Sequence, residues 1–184
     1  AAMLEPGERG LPLSLSVLFT ESIAEGSMEI STRLLRSGAR LQFWRSELAQ
    51  RDKLCAHAQA TFGVRRETTR FTDAVMPHVP APDSDRLNES SPQVAFGQRF
   101  VMRWATPGPL SPEHDASMPA SSLVWVKDKA GRDLDYLMLA AMADLAPPRV
   151  MWKRKAVVMS STVSMTTHFH ATPEELAEVG HGFV

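Results

Sequence analysis

Asp144 is an acid at the edge of an apolar run, which makes it the first candidate for chemistry in this chain. Leu134, Leu137, Met138, Ala141, Met142 and Leu145 recur at three- and four-residue spacing, the pattern of one apolar helix face. At about 100° per residue Asp144 falls beside Leu137, on the rim of that stripe. A carboxylate held against apolar surroundings binds its proton more tightly and becomes a better base near neutral pH. A hydroxyl-lined segment follows Asp144, in which Thr162, Ser164, Thr166, His168 and His170 alternate with Val163, Met165, Thr167 and Phe169, as in a half-buried strand. The plain structural readings are Asp144 as a helix-end acid on a solvated rim and Thr162 as an ordinary strand threonine.

Other reactive side chains carry less. His168 and His170 share a strand face, a spacing that suits two metal ligands, but no third ligand lies nearby in sequence and no metal is expected. Cys55 sits inside an alternating strand pattern and reads as structural. Trp44, Trp104, Trp125 and Trp152 read as packing residues. Lys153, Arg154 and Lys155 form a basic patch that is either an anion contact or a solvated turn.

The elements that must position these residues follow from composition and period. With 184 residues, 43% hydrophobic and 22% charged, the chain can bury a real core and is not broadly disordered. Its net charge of -1 gives no electrostatic case for nucleic acid or an anionic membrane. No apolar run approaches the roughly 20 residues needed to cross a bilayer, and AAMLEPGERG lacks the basic start and apolar core of a secretion signal. One cysteine cannot form an intrachain disulfide, so a reducing, cytoplasmic setting is the expectation.

Ala1 to Glu5 reads as a helix tail stopped by Pro6 and Gly7. Leu13, Leu15, Val17 and Phe19 mark a first strand, and Ser27 to Leu35 a second. Arg40 to Gln50 and Lys53 to Phe62 form a long hairpin joined by Arg51-Asp52. From Arg65 to Pro92 prolines and charges without period predict an irregular connection. Gln93 to Trp104 and Ser121 to Lys127 then read as strands around a proline- and serine-rich loop from Thr106 to Pro119. The helix carrying Asp144, capped by Asp133 or Asp135, is stopped by Pro147 and Pro148, and a basic connection leads to the hydroxyl-lined strand.

One echo bears on the architecture. AAM precedes LSLSVLF near the start and VSMTTHF near the end, and aligning the strands pairs Leu13 with Val163 and Phe19 with Phe169 at a constant offset of 150. A duplicated helix-then-strand unit is the natural account. The chain is out of phase with that duplication, so it is expected to be a piece of a longer two-unit protein.

These pieces resemble a family. LLRSGARLQFWRSELAQRDKLCAHAQATFG looks like the turn and long hairpin of a first hotdog domain, and VMPHVPAPD like the proline-rich connector. SSLVWVKDKAGRDLDYLMLAAMADLAPP looks like the strand, turn and second central helix, and SSTVSMTTHFHATPEE like the strand after it. Together they resemble the double-hotdog acyl-CoA thioesterases of the bacterial thioesterase II type. The resemblance implies an α+β fold, a tandem hotdog with long antiparallel sheets wrapped around central helices. It implies residues 1–63 as part of a first hotdog, 64–92 as a proline-rich linker and 93–184 as part of a second.

It further implies hydrolysis of acyl-CoA to a free fatty or aryl acid and coenzyme A, with no cofactor. In the family a helix acid, a strand hydroxyl and a later glutamine hold and activate the attacking water. Asp144 stands where the acid belongs and Thr162 where the hydroxyl belongs, while the glutamine belongs to a strand beyond Val184. Leu137, Met138, Ala141 and Met142 are the implied lining of an acyl slot. A homo-oligomer is also implied. The alternative is a non-catalytic acyl-CoA-binding or structural hotdog protein, and nothing like a paired Asp and His on one short loop supports a hydratase.

Overall fold

The computed structural model describes residues 10–90 and 94–184, so the helix tail expected over Ala1 to Glu5 lies outside the described residues. The elements run β1 (Leu11–Phe19), β2 (Glu29–Ser37), β3 (Leu41–Gln50), β4 (Lys53–Gly63), β5 (Asn88–Glu89), β6 (Phe100–Trp104), β7 (Val124–Asp128), α1 (Tyr136–Met142), α2 (Val150–Arg154), β8 (Ser164–His168) and α3 (Pro173–Val179). They gather into two compact units, each drawn from separated parts of the chain. One takes residues up to Thr69, Tyr136–Asp144 and Ser161–Thr172; the other takes Arg70–Asp135, Leu145–Ser160 and Pro173–Val184.

The first unit is built on a five-stranded sheet in the order β2-β3-β4-β1-β8, with every pairing antiparallel. The expected hairpin is β3 and β4, closed between Gln50 and Lys53. Arg51 and Asp52 have φ of 49° and 62°, the left-handed pair that matches the twist of flanking strands in a two-residue turn. On one face of β4, Ala56, Ala60 and Phe62 are buried. The other face carries a polar row across all five strands, because the registers align Arg33 with Arg45, Arg45 with Gln59, Gln59 with Ser16 and Ser16 with Thr166. Alternation along each strand thus divides the sheet into an apolar and a polar side.

Two glycines permit the tightest approach in this unit. A Cβ on Gly10, whose φ is +127°, would stand 2.3 Å from the carbonyl carbon of Gly63. A Cβ on Gly63 would meet Leu13 Cδ1 at 2.6 Å and Leu41 Cδ2 at 2.8 Å. Gly63 pairs with Leu11 on one side and Leu41 on the other, so its missing side chain is what lets three strands close there.

The echoed strands pair with each other. β1 and β8 run antiparallel from Ser14↔His168 to Leu18↔Ser164. Adding or subtracting the offset of 150 turns the first of those pairs into the second, since Ser14 maps to Ser164 and His168 to Leu18. Ser16 and Thr166 map onto one another at the centre, with their hydroxyls 3.0 Å apart. This is the register that two copies related by a local two-fold axis produce.

The second unit holds the sheet β5-β6-β7. Phe100, Met102 and Trp104 alternate inward along β6, and Trp104 packs near Trp152 of α2 at 6.1 Å between ring centroids. Trp152 is fully buried and its indole donates to Pro107 O at 3.3 Å. The buried His114 donates from Nε2 to Trp152 O at 2.9 Å, the carbonyl being able only to accept. Lys153 donates to Ala116 O and Met118 O, so this member of the basic patch secures the 106–119 loop.

Several boundaries depart from the sequence expectation. The strand expected from Gln93 begins only at Phe100, after a 3-10 turn over Gly97–Arg99. β5 lies inside the stretch read as irregular, and α2 stands where a basic connection was expected. α3 was not anticipated, although Thr172-Pro173-Glu174-Glu175 carries a helix-start signature of capping hydroxyl, proline and first-turn acids. The helix expected from Asp133 to Leu145 is only the seven residues of α1.

Candidate active site

The acid and the hydroxyl meet in the first unit. α1 ends at Met142, and the chain tightens into a turn in which Ala143 N–H donates to Leu139 O at 3.0 Å and Asp144 N–H to Ala141 O at 3.3 Å. This contraction is a common way for a helix to end, and here it precedes Pro147 and Pro148, which contribute no amide hydrogens. Thr162 stands two residues before β8, where Phe19 N–H holds the neighbouring Val163 carbonyl at 2.9 Å. Across that gap Thr162 Oγ1 donates to Asp144 Oδ1 at 2.9 Å. Eighteen residues separate the two in sequence.

The surroundings differ from the expectation. Asp144 and Thr162 are both exposed, whereas the helical period placed the acid on the rim of a buried stripe. The reason is the early end of α1, because residue 144 belongs to the turn beyond the helix and no longer follows its 100° step. Of the slot candidates Leu137, Ala141 and Met142 are half-buried, and Met138 is buried. His168 and His170 are exposed, and among the described residues no group of three or more His, Cys, Asp and Glu side chains could hold a metal ion.

Period reading missed Tyr136, which is only 4% exposed although it falls off the apolar face of the helical wheel. Its hydroxyl donates to Ala171 O at 2.9 Å and its ring meets Phe169 edge-on at 5.6 Å. Arg65 was missed too. Its guanidinium donates from Nη2 to Phe169 O at 2.5 Å and from Nη1 to His170 O. The available signal was an aromatic residue at the start of an apolar helix and a lone arginine just past a long strand, both weak by themselves.

The geometry is that of a hydrogen-bonded acid and hydroxyl between a helix end and a strand start. Family models account for most of the chain in that context, the acyl-CoA thioesterase N-terminal domain over residues 1–63 and the acyl-CoA thioesterase C-terminal domain over residues 73–183. The chain belongs to the acyl-CoA thioesterase family. It is thereby a member of a thioester-hydrolase family, with the α+β hotdog fold that the resemblance implied.

Solved structures agree on the fold. A conserved hotdog protein of unknown function from Alicyclobacillus acidocaldarius is 30% identical, with a TM-score of 0.87 over 100% of this chain and 68% of that one. A TesB protein of Mycobacterium avium subsp. paratuberculosis is 19% identical, with a TM-score of 0.69 over 89% of this chain and 61% of that one. An acyl-CoA thioesterase II of Mycobacterium marinum is 20% identical, with a TM-score of 0.56 over 77% of this chain and 53% of that one. This thioesterase-family chain thus spans about two thirds of the first relative's length and less of the other two. Comparison with curated proteins finds no match. Among the described residues no helix is long and apolar enough to cross a membrane.

Proposed function

We propose that the protein hydrolyses acyl-CoA to a free fatty or aryl acid and coenzyme A, using Asp144 as the base for an attacking water and Thr162 as its orienting partner. The observation that carries this reading is the 2.9 Å hydrogen bond from Thr162 Oγ1 to Asp144 Oδ1, in a chain of the acyl-CoA thioesterase family. The hydroxyl fixes one carboxylate oxygen, and a water bound to the other is lined up for proton removal. Water oxygen attacks the thioester carbonyl carbon as its proton passes to the carboxylate. The tetrahedral intermediate collapses with cleavage of the carbon–sulfur bond, and the proton held by Asp144 goes to the departing thiolate. No cofactor enters these steps.

The half-buried Leu137, Ala141 and Met142 are the proposed contacts for the acyl chain, with the buried Met138 supporting them from within. A homo-oligomer is proposed as the assembly, and a reducing compartment such as the cytoplasm suits a chain whose one cysteine is a buried free thiol.

The test is turnover of a panel of acyl-CoAs followed with a chromogenic thiol reagent. Wild-type protein releases thiol and Asp144→Asn does not, while its melting temperature stays close to wild type. Undiminished turnover by Asp144→Asn removes the carboxylate from the mechanism. The exposure of both groups favours one rival, an acyl-CoA-binding hotdog protein without turnover. Measurable acyl-CoA binding with no thiol release from wild-type protein would select it.

A further inference from the structure

Helix α1 and strand β8 are strapped together at both ends of the helix. At one end Thr162 Oγ1 donates to Asp144 Oδ1 at 2.9 Å, and at the other Tyr136 Oη donates to Ala171 O at 2.9 Å. The residue numbers rise along the helix and fall along the strand between those two bonds, so helix and strand run antiparallel and each bond fixes one end of the pair. The second strap is well founded. Tyr136 is 4% exposed, Phe169 is 4% exposed, and their rings meet at 80° with centroids 5.6 Å apart.

The strand segment that receives Tyr136 is itself held by side chains. Phe169 N–H donates to Leu13 O at 2.9 Å, which ties it to β1. The three successive carbonyls of Phe169, His170 and Ala171 accept from Arg65 Nη2, Arg65 Nη1 and Tyr136 Oη. An anchor of this kind cannot slide as a bare strand edge can, because its three carbonyls are held by donors from two separate points of the fold, Arg65 just past β4 and Tyr136 at the start of α1. The Tyr136 hydroxyl therefore acts on α1 against a fixed point. With one end of a seven-residue helix held, the other end is placed by the helix's own rigidity, and the bonds from Ala143 N–H to Leu139 O and from Asp144 N–H to Ala141 O carry that placement into the turn that bears Asp144.

We infer that Tyr136 is a positioning residue for thioester hydrolysis, its hydroxyl bond to Ala171 O setting the reach between Asp144 and Thr162 at the far end of α1. The inference rests on the Asp144 and Thr162 reading above. Tyr136 touches no reacting atom in it and acts only through the helix. Displacements of about 1 Å at a reacting pair cost up to about a hundredfold in rate, so loss of one strap is visible in turnover.

Tyr136→Phe keeps the ring, its volume and the edge-on contact with Phe169, and removes only the hydroxyl. The expected result is a fall in kcat of about tenfold or more with KM within about twofold of wild type, and a melting temperature that leaves the protein folded under assay. Thr162→Val and the double variant Tyr136→Phe with Thr162→Val complete a cycle. If Tyr136 works through the Asp144 and Thr162 pair, its effect on kcat largely disappears once Thr162 is valine. Unchanged kcat in Tyr136→Phe, an undiminished effect in the valine background, or a variant unfolded at assay temperature would each overturn the inference, the last by making the hydroxyl a structural anchor alone. Asp144→Asn run in parallel separates the two levels. Wild-type turnover in that variant removes the site itself, whereas a dead Asp144→Asn beside an indifferent Tyr136→Phe removes only the role of Tyr136.

Discussion

At the scale of single residues, the hydroxyl at position 162 and the carboxylate at position 144 form a unit whose parts are not equivalent. The carboxylate is the only group of the two that can take a proton from water near neutral pH, so its loss removes the base entirely. The hydroxyl supplies a hydrogen bond and an orientation. Thr162→Val, which keeps the branched shape and removes the donor, should lower kcat by about tenfold to a hundredfold while Asp144→Asn leaves almost nothing. Thr162→Ser should retain most activity, since the Oγ that reaches Asp144 Oδ1 at 2.9 Å is preserved. Steady-state kinetics on one acyl-CoA decides this, and equal loss in the serine and valine variants would show that the methyl group matters and the hydroxyl does not. Exposure of Asp144 follows from where α1 stops, which is a property of the next level up.

Among the elements, the close approach at the start of β1 is the most specific structural demand in the first unit. A side chain on Gly10 would run into the main chain of Gly63 at 2.3 and 2.4 Å, and its φ of +127° is strained for any residue with a Cβ. A side chain on Gly63 would run into the ends of Leu13 and Leu41, which can turn aside. Gly10→Ala should therefore destabilise more than Gly63→Ala, the latter by about 1–3 kcal/mol, the ordinary cost of overpacking. Denaturant unfolding of the two variants checks the order, and a milder Gly10→Ala would mean that β1 can lift away from β4 at little cost. Helix α1 shows the limit of element reading. Its apolar period runs on to Leu145, yet the helix closes at Met142 and Leu145 is buried in the other compact unit.

Across the whole molecule, two units each draw on distant parts of the chain, and single core residues mark them. Trp152 is fully buried among partners of the second unit, with Trp104 beside its ring, Pro107 O accepting from its indole and His114 bonded to its carbonyl. Trp152→Ala should cost about 3–5 kcal/mol, the range for emptying an aromatic site in a core. Hydrogen exchange locates the damage. Amides of β6 should lose protection first in Trp152→Ala, and amides of β1 and β4 first in Gly10→Ala. Loss of protection in β1 before β6 in the tryptophan variant would contradict the division drawn from the packing.

How much could be read without coordinates depended on the range of the interaction. The first four strands, the turn at Arg51-Asp52 and the polar and apolar sides of β8 were legible, because strand period and turn position are set by residues a few positions apart, whereas the left-handed conformation of that turn came only with the structure. Asp144 was legible as a candidate by type and place and Thr162 through the family resemblance, and the offset of 150 was legible as an echo. Tertiary structure alone decided that acid and hydroxyl touch, that the echoed strands pair about Ser16 and Thr166, and that Tyr136 and Arg65 secure the end of β8. Those outcomes depend on donors and acceptors brought together from distant positions, from a separation of 18 for Asp144 and Thr162 to 105 for Arg65 and His170. Such contacts form only when the packing of both partners repays the entropy of closing the loop between them, a balance that no local period records.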